Sequence, residues 1–389
     1  MTVDINEEMK GKLQKTNANN SGWAPPLGDK RQNLDRVGVS QTYRTVSMGA
    51  IVRRRSLIGA MLVSLVIFVT RNGILYRKPI KHEPVMPDYL TRESATLSDG
   101  QNTYHLNMSQ FQSDFPHLQT YKCSVKLTPH RQQKMGNPKP VLMMAMKSHP
   151  RSTARRQAAR RTWAREEEVD GFWVKPIFLI AKTEVSGQME LVALESREFG
   201  DILQWDFNEG HHNLSLKERC FLEWLDSEVP EVKFIFKGDD DEYVNPRTVV
   251  RYVKEHGSSP LTLHGNLCAN YEVFRFTKYA ISKTLYPNDK YPSFLSGGGF
   301  LFPGTSVKYL HEAAQKIPVF PLDDVYFGFL VLAANLTYRH DSRFYVLGLT
   351  FNACKYQEAL VVHGIEPERL IQIWTEVQRA QCQGGQSRR

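Results

Sequence analysis

The chain has 389 residues, 41% hydrophobic, 23% charged and 11% aromatic. That composition excludes an intrinsically disordered protein and supplies ample material for one large domain or two small ones. The net charge of +9 is uneven: residues 1–55 hold ten Lys and Arg against five Asp and Glu, next to an apolar run. This pattern points to a membrane rather than a nucleic acid as partner.

In chain order, residues 1–55 are polar, Asn-rich and without periodicity, and read as a mostly disordered cytosolic basic tail. Residues 56–70 carry no charge. With Arg71 snorkelling, the apolar stretch extends to Tyr76, so 56–76 reads as a single transmembrane signal anchor. Basic residues balance across it, so charge does not orient the span. The glycosylation sequons at Asn107, Asn213 and Asn335, and all five cysteines, follow it. They favour a luminal globule, and the odd cysteine count leaves at least one thiol free or paired between chains. Residues 77–137 read as a luminal stem, ordered near Cys123. Residues 383–389 form a C-terminal tail.

Between them, 138–382 has the texture of a catalytic domain. Strands are expected at 141–146, 175–181, 201–206 and 232–236, and helices at 155–163, 189–199 and 216–227. The alternation predicts an α/β fold, with a mainly parallel sheet flanked by helices and ligands at the strands' carboxyl ends. No GxGxxG or GxxxxGK[ST] phosphate loop is present.

Four motifs stand out. Lys237 and Gly238 lead from a strand into Asp239, Asp240 and Asp241, an acidic turn that holds a divalent cation or stays solvated. Asp323 and Asp324 open a helix, where one carboxylate is expected to cap and the other to do chemistry. Gly297, Gly298 and Gly299 permit close backbone approach to a ligand. His363 ends a short apolar run, a position more often structural than ligating.

The segments RRQAARRTW at 155–163, WDF at 205–207 leading to NLSLK at 213–217, FKGDDD at 236–241, YPSFLSGGGF at 291–300 and DDVYFG at 323–328 occur in this order. Together they resemble glycosyltransferase family 31, the β-1,3-galactosyl- and β-1,3-N-acetylglucosaminyltransferases, over roughly 138–382. The resemblance implies a type II Golgi membrane protein with a GT-A fold. It implies a UDP-sugar donor and a glycan acceptor on protein or lipid, with no nucleic acid. Asp241 and His363 would bind Mn²⁺, and Asp324 would be the catalytic base. Arg156, Lys237, Asp239 and Asp240 would face the donor, with the three glycines lining the sugar site. Lys237-Gly238 followed by three aspartates is similar to the N-acetylglucosaminyl branch, which favours UDP-GlcNAc. The alternatives are a β-1,3-galactosyltransferase using UDP-Gal, or a catalytically silent glycan-binding or escort protein; the acceptor and the homo- or hetero-oligomeric state stay open. Ala164 and Leu330 depart from the family pattern, where Gly and often Cys stand.

Overall fold

The computed structural model describes residues 94–130 and 139–382. The tail, the 56–76 anchor, the first part of the stem and residues 383–389 lie outside them. Among the described residues no helix is long and apolar enough to cross a membrane.

The chain opens with β1 (Ser94–Ser98), β2 (Thr103–Asn107), α1 (Met108–Asp114), α2 (Pro116–Thr120) and β3 (Val125–Leu127). It continues through β4 (Val141–Lys147), α3 (Thr153–Arg161), β5 (Glu167–Val169), β6 (Phe172–Lys182), α4 (Gln188–Phe199), β7 (Ile202–Asn208) and α5 (Leu214–Glu228). Next come β8 (Phe234–Asp239), β9 (Glu242–Val244), α6 (Pro246–His256), β10 (Thr262–Cys268), β11 (Phe294–Pro303) and α7 (Val307–Ala314). The last elements are α8 (Asp323–Ala333), β12 (Thr337–His340), β13 (Phe344–Tyr345), α9 (Ala353–Glu358), β14 (Val361–His363) and α10 (Pro367–Arg379).

The main sheet runs β12-β10-β11-β8-β4-β6-β7-β3, with β5 added beside β6. Its centre, β8-β4-β6-β7, is parallel as expected. Beyond it, β11 lies antiparallel to both β8 and β10, so β10 and the parallel β12 run with the centre, and β3 is antiparallel to β7. Six of the nine strands, β12, β10, β8, β4, β6 and β7, therefore run one way, so the sheet is mainly parallel as expected, with β11, β3 and β5 opposed to them. The long connection 269–293 returns the chain to the end of the sheet it has just left, so β11 must run back against β10.

Side chains alternate between two cores. In β4, Met143 and Ala145 enter one cluster with Leu216 and Phe221 of α5, Leu310 of α7 and Phe327 of α8. Leu142, Met144 and Met146 enter the other, with Ala159 of α3, Val249 of α6 and Leu370 of α10. A strand buried on both faces reads as an unbroken apolar run, which is why 141–146 was legible. The start of α6 follows local rules too. Asn245 accepts the Thr248 N–H and Pro246 occupies the first turn.

The stem reading needs correction. Tyr104, Leu106, Phe111 and Leu118 are buried in the first core cluster, and the Gln119 side chain bonds both polar groups of the Val319 backbone at 2.9 Å. From Ser94 the chain belongs to the globule. β2 does alternate, with Tyr104 and Leu106 inward, but the strands and helices here are short, and tertiary packing rather than propensity folds them. Disulfides join Cys123 to Cys220 and Cys354 to Cys382, leaving Cys268 as the free thiol. Leu330, at the position where relatives often have Cys, is fully buried in apolar packing.

Two outcomes follow. Thiol alkylation of the unreduced protein should modify Cys268 alone, read by peptide mass. Cys123→Ala opens a cross-link that spans 97 residues of sequence and should cost roughly 2–5 kcal/mol in denaturant unfolding.

Candidate active site

β4 and β8 run side by side and end together, with Lys147 opposite Asp239. Beyond β8 the turn Asp240-Asp241 reverses the chain into β9. There Glu242 pairs with His363 of β14 across an antiparallel register. That register carries His363 to the acidic turn: its Nε2 lies 3.5 Å from Asp241 Oδ1 and 3.8 Å from Asp239 Oδ2. Asp239, Asp241 and His363 each offer a ligand atom, all within 4.8 Å of one another. Asp241 Oδ1 is buried without a hydrogen-bond partner. An orphaned carboxylate oxygen beside an imidazole and a second carboxylate fits a divalent cation of the Mg²⁺/Mn²⁺ type.

Side chains of the fold offset much of the negative charge. Lys147 is 6% exposed and bridges Asp239 at 3.3 Å and Asp323 at 2.7 Å. Burial alone would lower its pKa, but those carboxylates hold it well above the usual value. Arg155 reaches Asp240 at 3.4 Å and Asp241 at 3.3 Å. Asp240 also accepts the Ser148 hydroxyl at 2.6 Å. Burial still raises its pKa to about 6, against the lowering effect of Ser148 and Arg155. Beneath the turn, Glu242 is fully buried and accepts the Asp239 N–H at 2.9 Å. Burial, with Asp239 adding to it, pushes its pKa well above the usual carboxylate value. Gly238 is required above it: a Cβ there would stand 2.1 Å from Glu242 Oε2.

The base candidate lies across β11. Asp324 Oδ2 accepts the Gly297 N–H at 2.9 Å. Burial, then the neighbouring Asp323, raises its pKa to about 7. The three glycines each answer to a different neighbour. A Cβ on Gly297 would meet Asp324 Oδ1 at 2.2 Å, one on Gly298 would crowd His363 at 3.3 Å, and one on Gly299 would meet Val361 at 2.9 Å. Gly299 also has φ +110, which L side chains rarely adopt. The strand thus passes close between the base candidate and the metal-site histidine.

Asp323 does not cap its helix. Leu322 is the N-cap and contributes no side-chain bond. Asp323 turns instead to Lys147, whose charge outweighs burial and holds its pKa low. Asp323→Asn would therefore strip a buried cation of one partner.

Other expected residues are placed differently. Arg156 is fully buried and donates to Glu195 through two bonds of 2.7 and 2.6 Å, and to Ser148, Thr153 and the His149 and Pro150 carbonyls. Its guanidinium is consumed by the fold, and Arg155 is the one that faces the site. The spacing Arg156, Ala159, Arg160, Trp163 marks the inward helix face and could have shown this. Lys237 lies under the site, paired with Glu218 at 2.5 Å, both 2% exposed. Asp239 stands with the metal group, while Asp240 points to Ser148 and Arg155. Lys147 and Ser148 were not assigned a role in advance, although a polar pair closing an apolar strand at the sheet's carboxyl edge was the available signal. With Arg155, His211, Lys217 and the acidic turn they line a cavity of about 400 Å³. Of the sequons, Asn107 and Asn335 are exposed, whereas Asn213 is half-buried and its Nδ2 bonds the Asn208 carbonyl at 2.8 Å.

The family model described as Galactosyltransferase matches residues 154–342. A human acetylgalactosaminyl-O-glycosyl-glycoprotein beta-1,3-N-acetylglucosaminyltransferase is 34% identical over 249 residues, 60% of this chain and 65% of the relative. A rat UDP-GlcNAc:betaGal beta-1,3-N-acetylglucosaminyltransferase 7 is 34% identical over 250 residues, 60% and 63% of the two chains. Beta-1,3-galactosyltransferase 5 of Pan paniscus is 30% identical over 240 residues, 60% of this chain and 80% of its own. The chain spans about 65% of the first curated relatives it matches.

Titration with Mn²⁺ as probe, followed by electron paramagnetic resonance, tests the ligand group. Asp241→Asn and His363→Ala should each weaken binding by about tenfold or more, and Asp240→Asn by clearly less.

Proposed function

Because the chain belongs to the galactosyltransferase family, we propose that it is an inverting, Mn²⁺-dependent β-1,3-glycosyltransferase of GT-A fold. It transfers GlcNAc from UDP-GlcNAc to a galactose-terminated glycan on protein or lipid. The family resemblance, together with the apolar stretch at 56–76 and the sequons and cysteines that follow it, supports a type II Golgi membrane protein with its site in the lumen. One observation supports the catalytic reading above the others. Asp324, with its pKa near 7, lies across a three-glycine strand from the Asp239, Asp241 and His363 group. A proton acceptor and a charge-neutralising site are then held at opposite sides of one reacting centre.

The chemistry assigns separate work to the two sides. Asp239, Asp241 and His363 would hold a divalent cation, which would supply charge neutralisation for the departing UDP diphosphate. Arg155 supplies a second positive charge at the same edge. Asp324 removes the proton from the acceptor hydroxyl while that oxygen forms its bond to C1 of the sugar and the C1–O bond to UDP breaks. A single displacement from the face opposite UDP turns an α-linked donor into a β product. The Gly297 N–H fixes the Asp324 carboxylate and leaves its other oxygen for the proton. Lys147 positions this half of the site by holding Asp323, the residue before it. Two of the three relatives named above are N-acetylglucosaminyltransferases, which supports UDP-GlcNAc as donor, with UDP-Gal the second choice through the galactosyltransferase relative.

Asp324→Asn should lower turnover by about 10²–10⁴-fold while UDP binding persists, since the amide keeps the shape but takes no proton. Retained activity in this variant removes Asp324 from the mechanism. Because a raised pKa leaves the carboxylate protonated at acid pH, kcat/KM should fall about tenfold per unit below pH 7, the value set by Asp324 in the free enzyme. Turnover on a galactose-terminated acceptor should be higher with UDP-GlcNAc than with UDP-Gal, and the reverse would move the chain to the galactosyl branch.

A further inference from the structure

The connection between β10 and β11 carries four exposed aromatic rings within nine residues: Tyr271, Phe274, Phe276 and Tyr279, at 42, 41, 79 and 42% exposure. Exposed apolar surface gathered in this way marks a binding site more often than chance placement. The segment is also held in shape. Arg275 donates to the carbonyls of Ile281, Tyr286 and Asn288 at 2.9, 3.0 and 2.6 Å. The Ile281 N–H bonds the Phe274 carbonyl at 2.9 Å, and the Val273 N–H bonds that of Asp289 at 2.9 Å. Thr277, a β-branched residue, sits at φ 116, a conformation that costs on the order of 1–3 kcal/mol and persists only where the surroundings impose it. Strain and a dedicated guanidinium are thus spent on holding apolar rings in water.

The position of this ledge narrows what it serves. It leaves β10 at Cys268, which pairs with Phe294, three residues before the glycine bound by Asp324. The Tyr271 ring lies 5.5 Å from that of Phe294. At its other end the Tyr279 ring lies 5.5 Å from His211, which lines the cavity beside the acidic turn. The ledge therefore adjoins both the base and the donor cavity. A second protein chain seated there would cover the approach to Asp324, whereas a glycan lying along it would lead to Asp324.

We propose that Tyr271, Phe274 and Phe276 form the acceptor subsite, stacking the C–H faces of an uncharged oligosaccharide of at least two sugars so that its terminal hydroxyl meets Asp324. This rests on the transferase reading. Aromatic rings suit the task because they give rigid, partly apolar area with few rotors to freeze. It also assigns the enzyme a preference for chain length: a single sugar reaches the base but not the whole ledge.

The test uses the full chain in detergent, with Phe276→Ala and Tyr271→Ala. Acceptor KM should rise about tenfold for a lactosamine tetrasaccharide and much less for a monosaccharide glycoside, with donor KM moving less than about twofold. Calorimetric binding of the same tetrasaccharide, which needs no turnover, should weaken in parallel. Unchanged acceptor KM and binding in both variants overturns the proposal. A wild-type chain that binds the glycan through these residues yet transfers nothing keeps the ledge and overturns the transferase reading. Variants that lose self-association while keeping glycan affinity overturn the proposal in favour of a second copy of the chain.

Discussion

Lys147 is the contact on which the active edge depends. β8 delivers its acidic turn beside the Lys147 end of β4, and Asp323 enters from α8 next to it. Carboxylates so close repel unless cations or protons intervene. Lys147 sits between the groups and binds one oxygen of each, so the strand that carries it at the centre of the sheet also fixes the distance between the two halves of the site. The same solution recurs beneath it. Lys237 meets Glu218 at 2.5 Å, Lys217 meets Glu209 at 2.7 Å, and Arg156 and Arg160 share Glu195. Pairs of this kind are a weak source of net stability, but removing one member is severe, which makes the layer intolerant of single changes.

The three-glycine strand gives the site its second constraint. It is not a flexible turn: it is a strand with Phe300 registered against Lys237, and its missing side chains are replaced by atoms of Asp324, His363 and Val361. Close packing of this sort ties the position of the base to that of the metal-site histidine, since neither can shift toward β11 without meeting backbone.

The sequence was most readable where local chemistry and burial agree. The strand 141–146 is a continuous apolar run because both faces are covered; in 232–236 the exposed Lys233 precedes β8, whose apolar start at Phe234–Phe236 leads to the acidic turn where a sheet places its ligand edge. His363 was readable only through resemblance, since its partner Glu242 lies far away in the chain and no local period signals a long-range register. Arg156 misled because its motif was read as chemistry when its helical spacing pointed inward. Asp323 misled for the opposite reason: capping is a local rule, and the distant Lys147 overrode it. The folded segment from Ser94 was missed because a few scattered apolar residues acquire meaning only when the core they fill is known.

The family match, 154–342, and the physical unit have different borders. Outside the match lie β4, the central strand that carries Lys147, and His363 on β14. Cys123, which cross-links the N-terminal segment to α5, is outside it too. A recombinant fragment cut to the recognisable homology block would lose the middle of its own sheet and one corner of its metal group. It would also leave apolar surface near Leu216 and Phe320 open to solvent. The packed unit runs from Ser94 to the Cys354–Cys382 cross-link, so shuffling of this module between proteins has to move nearly all of that stretch at once.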